Sequence, residues 1–137
     1  MLKFNVRNQT INRVDSFRPA EKSVHYLLAQ FTFLTADWNG TIKTAVFQNP
    51  TTGKMYDALL DEDTCVVPWE AIDSSGECGV SVYGVGDYRI TTGIAKFKVD
   101  PTLFGGTGTQ APTPSVYEQL LNQITHVSGG TFADWKE

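Results

Sequence analysis

The chain has 137 residues, a formal charge of −4, 41% apolar residues and 19% charged residues. That is the size and balance of a single globular domain able to bury a core without a metal or disulfide. The acidic balance excludes nucleic acid as the main partner, since phosphate binding needs clustered Lys and Arg.

Glycines, prolines and polar clusters break the chain at short intervals up to Asp100, the spacing of an all-β fold. LKFNV (2–6) alternates and reads as a first strand, followed by a weaker candidate in TINRVDSF (10–17). VHYLLAQFTFLT (24–35) is the strongest strand. Its Leu27, Ala29, Phe31 and Phe33 share one face, and Tyr26, Leu28, Gln30 and Thr32 the other. TIKTAVFQ (41–48), the turn NPTTG (49–53) and KMYDALLD (54–61) follow, then TCVVP (64–68). Pro68 suits the start of a single helical turn over WEAI (69–72). ECGVSVYGV (77–85) and YRITTGIAKFKV (88–99) join through Gly86-Asp87, a hairpin signal. Within 88–99 the apolar phase switches at Gly93, which predicts a β-bulge. The expectation is an antiparallel β-sandwich of seven or eight strands, Ig-like or related, over 1–103.

After this region the composition changes. FGGTGTQAPTP forms a Gly/Pro linker over 104–114. Ser115 and Glu118 have capping-box spacing, and a C-terminal α-helix is predicted over 115–127. Tyr117, Leu120, Ile124 and Val127 recur at steps of three, four and three, a self-association seam widened by Val116 and Leu121. Such a short helix gains stability by joining copies of itself or by folding back onto its own domain. Residues 128–137 form a tail in which Trp135 is a candidate contact with another chain.

Charge is unevenly spread. Residues 1–54 carry seven Lys/Arg and three Asp/Glu, whereas 55–88 carry no base and eight acids. Solvated loops explain this, and so would subunits packing a basic face against an acidic one. The N-terminal MLKFNVRNQT has no apolar run of signal-peptide length, and no stretch approaches the roughly 18 apolar residues of a membrane span. A protein made and kept in a cytoplasm is expected. Cys65 and Cys78 fit that setting as buried free thiols, with a bridge between consecutive strands as the alternative.

No constellation for catalysis stands out. The only histidines are His25, opening an apolar strand, and His126, near the end of the helix. Asp57, Asp61 and Asp63 lack the Gly and terminal Glu of a calcium loop, no zinc-ligand cluster is spelled, and GGTG (105–108) lacks the ending of a phosphate loop. A non-enzyme without cofactor or metal is expected. Trp38 and Trp69 both stand at strand boundaries, as plugs for the core or as platforms for a sugar.

FTF (31–33), DWNGTIKTAVF (37–47), YDALLD (56–61), CVVPWEAI (65–72), GVSVYGV (79–85) and SVYEQLLNQI (115–124) occur in this order. The order resembles small structural proteins of tailed phages and prophages of Gram-positive bacteria. These are the N-terminal β-sandwich of baseplate upper proteins and the attachment domains of tail or head fibres. The resemblance implies a protein of the virion, made in the bacterial host cytoplasm. Its sandwich would dock on other virion proteins of the baseplate, tail or capsid, with no nucleic-acid or membrane partner. A following helix would assemble a homo-oligomer, a trimer being favoured. The chain stops at Glu137 where the longer proteins it resembles continue, which favours an adaptor, a decoration protein or a truncated chain over a receptor-binding protein. A carbohydrate-binding β-sandwich using Trp38 or Trp69 is the alternative from another class.

Overall fold

The structure is a computed structural model that describes residues 1–104, of which Met1–Thr102 forms one compact unit. The predicted linker beyond Phe104, the helix over 115–127 with its seam, and Trp135 lie outside the described residues. The described residues are mainly β. Their strands are β1 (Leu2–Arg7), β2 (Thr10–Arg13), β3 (Leu28–Phe33), β4 (Ile42–Gln48), β5 (Met55–Leu59), β6 (Thr64–Val66), β7 (Gly76–Val85), β8 (Arg89–Thr91) and β9 (Ala95–Val99). One sheet has the order β2-β1-β3-β6. The other has the order β5-β4-β7-β8, with β9 also paired to β7.

Both sheets bury one face, and the buried residues form a single cluster. Leu2, Phe4 and Val6 of β1 and Ala29 and Phe31 of β3 supply it from one sheet. Ala45 and Phe47 of β4, Cys78, Val80 and Val82 of β7, and Phe97 and Val99 of β9 supply it from the other. Each obeys the two-residue period of an extended chain with one dry face. Phe4 and Phe31 are register partners and stack at 5.2 Å, and Phe47 meets Phe97 edge-on at 6.5 Å. A fully buried side chain of this size stabilises the fold by about 1.5–3 kcal/mol.

Three details differ from the expected antiparallel design. First, β1 and β3 run parallel, with Leu2 beside Ala29 and Val6 beside Phe33. β2 returns the chain to the start of β1, where Arg13 pairs with Phe4, and residues 14–27 then pass that end of β1 to enter β3 on its other side. Second, the strand expected over 24–35 begins only at Leu28. His25 holds a left-handed φ of +58°, which breaks the extension before it. Likewise the candidate over 10–17 ends at Arg13, because Asp15 turns the chain: its carboxylate accepts from the Lys3 and Phe17 N–H groups and from Arg13.

Third, the single strand expected over 88–99 is divided into β8 and β9, which raises the count to nine among the described residues. Tyr83 pairs with Thr91, and Val80 with Ala95, so residues 92–94 oppose only 81–82 and the register slips by one. The Thr92 hydroxyl accepts from the Val82 N–H at 3.0 Å, while the Gly93 N–H turns away to donate to the Gln9 carbonyl.

Candidate functional site

Trp38 closes one end of the core. It ends a 3-10 turn over Ala36–Trp38 and is 0% exposed. Its Nε1–H donates to the Asn8 carbonyl in the β1–β2 turn at 2.8 Å, and its ring lies 5.0 Å from that of Phe33. The Thr41 hydroxyl donates to the Trp38 carbonyl at 2.7 Å, and the Tyr88 hydroxyl to the neighbouring Asp37 carbonyl at 2.6 Å. β7 approaches closely at Gly84. A Cβ there would lie 2.9 Å from Thr41 Cβ and 3.1 Å from the indole, so only glycine leaves room. Asn39-Gly40 then turns the chain into β4, Gly40 taking a φ of +76°. Enclosed in this way, Trp38 offers no ring face to a sugar.

Trp69 has a different position. It starts the 3-10 turn over Trp69–Ile72, directly after Pro68, and remains 39% exposed. Ala71 and Ile72 fill the core beneath this turn, so the indole expected as a second plug stays partly outside. Asn49, read only as a turn residue, pins this turn to the β4–β5 connection. Its Nδ2 donates to the Glu70 carbonyl, and its Oδ1 accepts from the Thr51 and Thr52 N–H groups and the Ser74 hydroxyl.

An apolar corner lies at the start of β3. Two shallow depressions of about 200 and 240 Å³ share Phe17, Tyr26 and Leu27 in their walls, and Met1 and Leu28 line the second. Leu28 faces Val66 across the β3–β6 pair, and both side chains stand partly in solvent. The corner is braced from below. Arg18 forks onto Asp100 at 2.7 and 3.1 Å, and Lys22 donates to the Asp73 carbonyl at 2.9 Å. The Arg18 hydrogen bond holds the Asp100 carboxyl below its usual range. The alternation in 24–35 had placed Tyr26 and Leu28 on one face, opposite Leu27 and Ala29. Tyr26 precedes the strand, which begins at Leu28, and no pattern in the sequence pointed to its pairing with Phe17.

The outer face of the five-stranded sheet is also apolar. Ile42, Met55, Leu59 and Ile94 are each 66–67% exposed, and Val85, the register partner of Ile42, is 46% exposed. Tyr83 lies among them and its hydroxyl donates to Asp57 at 3.3 Å.

Among the described residues no group of His, Cys, Asp and Glu is placed to hold a metal. Asp57 faces outward on β5, whereas Asp61 and Asp63 belong to the tight turn into β6, where Glu62 and Asp63 hold positive φ. Cys65 and Cys78 are free thiols on different sheets, and burial pushes both up to about 12. No helix among the described residues is long and apolar enough to cross a membrane. A comparison of the sequence with protein-family models finds no match, and a comparison with curated proteins finds none.

Proposed function

We propose that this chain is a structural protein of a tailed-phage virion. It is an Ig-like or related β-sandwich adaptor that docks on the tail baseplate and self-associates, as a trimer, through the helix over 115–127. The capsid-bound head fibre or decoration protein is the alternative within the same class. The observation that carries the reading is the apolar corner of Phe17, Tyr26, Leu28 and Val66, raised on a connection clamped by Arg18–Asp100 and Lys22–Asp73. An apolar patch on a rigid support is how a domain binds a platform of other proteins. The motif order supports the virion as that platform.

Particles of the phage or prophage encoding the chain can be purified and separated into tails and capsids, then analysed by mass spectrometry. The chain is expected in the tail fraction, and its loss on Tyr26→Asp would place the docking surface at the corner. Recovery with capsids would select the head-fibre alternative, and recovery with neither would overturn the virion reading. For the helix, Leu120→Asp with Ile124→Asp is expected to reduce the mass measured by light scattering while leaving the β-sheet circular dichroism intact. The partly exposed ring of Trp69 is what the carbohydrate-binding alternative retains. Quenching of tryptophan fluorescence by cell-wall glycans, abolished by Trp69→Ala, would favour it.

A further inference from the structure

We propose that the outer face of the five-stranded sheet binds the same face of a second copy of this chain, about a two-fold axis parallel to the strands. The contact depends neither on the helix seam nor on the virion reading.

The face carries exposed apolar side chains toward both ends and oppositely charged edges. Ile42 and Val85 lie side by side in register at one end of the face, Leu59 is level with Thr44 two residues along, and Met55 and Ile94 stand toward the other end beside Gln48 and Gly79. Gly79 carries no side chain, which leaves a notch of about 40 Å³ beside Val46, Met55 and Ile94, where a knob from a facing sheet can seat. β5 forms one edge and carries Asp57, with Asp61, Glu62 and Asp63 in the turn that follows. β8 and β9 form the other edge and carry Arg89 and Lys96. All of these charged residues are exposed. The ion pairs among the described residues are Arg13–Asp15, Arg18–Asp100 and Lys22–Asp73, so the two edges do not neutralise each other within the unit. Lys98 is different, because Glu77 faces it in register on β7.

Two facing copies of this sheet can be related in two simple ways. An axis across the strands would set the acidic β5 edge over itself and the basic β8/β9 edge over itself, which like-charge repulsion disfavours. An axis along the strands sets the β5 edge of each copy over the β8/β9 edge of the other, so both ends of the contact pair acid with base. Sequence level is preserved by this axis. Gln48 is the partner of both Met55 and Gly79, and Gly79 is the partner of Lys96, so Lys96 lies two residues along the strand from Asp57. That offset is about 7 Å, within reach of a lysine side chain. The exposed apolar side chains supply the attraction and the edges select the axis.

The test uses the full chain carrying Leu120→Asp and Ile124→Asp, so that the helix seam makes no contribution, followed by sedimentation velocity over a range of concentrations. This parent is expected to form a dimer. Asp57→Lys and Lys96→Glu are each expected to weaken it by about tenfold or more. Mixed in equal amounts, the two variants regain a dimer, because position 57 of each then meets the opposite charge at position 96 of the other. A monomeric parent at all concentrations would overturn the proposal. So would single variants that dimerise as tightly as the parent, or a mixture that does not recover. A failure of the helix reading is separate and shows as an unchanged mass when the two helix substitutions are introduced.

Discussion

Trp38→Ala is the sharpest test of how this fold is held together. The indole is 0% exposed, so its removal deletes a large core side chain at a point where four parts of the chain meet. Large-to-small changes at such a site cost about 3–5 kcal/mol, and the upper half of that range is expected. The Asn8 carbonyl loses its Nε1 donor, and Phe33 loses its aromatic neighbour at 5.0 Å. Collapse into the space is opposed by β7, whose Gly84 backbone already lies against Thr41 and the indole. A shift of 1 kcal/mol moves the midpoint by roughly 4–8 °C in a domain of this size, so a fall of about 15 °C or more is expected. Urea unfolding followed by far-ultraviolet circular dichroism measures the free-energy change. Trp38→Phe, which keeps a ring but leaves the Asn8 carbonyl unpaired, is expected to cost less, about 1–2 kcal/mol. A loss below about 1 kcal/mol for Trp38→Ala, the scale of a surface change, would refute the reasoning.

Two further outcomes test the chemistry of buried groups. Burial acts to raise the Asp15 pKa, but hydrogen bonds from Arg13 and from the Lys3 and Phe17 N–H groups outweigh it and hold the carboxyl at about 2. A folded value below the unfolded one contributes stability that is present above about pH 4 and lost as pH falls toward about 2. Asp15→Asn is expected to flatten that part of the stability profile and to cost about 1–2 kcal/mol at pH 7 after solvent screening. Identical acid limbs in the two proteins would count against it. Burial pushes Cys65 and Cys78 up to about 12, so neither thiol is expected to react with a disulfide reagent at pH 8 in the folded protein, and both are expected to react in urea. A fast stoichiometric reaction in the folded state would show that one of them is accessible.

Much of the strand content was legible, because it depends on neighbours in the chain. In β1, β3, β4 and β7 one face is dry, and the two-residue alternation of apolar side chains records that directly. Pro68 before Trp69–Ile72 and the phase switch at Gly93 were local signals of the same kind. Tertiary structure decided the rest. Trp38 and Trp69 have similar surroundings in sequence, yet Asn8 and Gly84 enclose the first while Ala71 and Ile72 displace the second. Phe17 and Tyr26 became one surface because residues 14–27 pass from β2 to β3 around the same end of β1. The acidic run over 55–88 was visible in the sequence. That Asp57 stands on one edge of a sheet and Arg89 and Lys96 on the other follows from the strand order, which long-range pairing sets and no local pattern encodes.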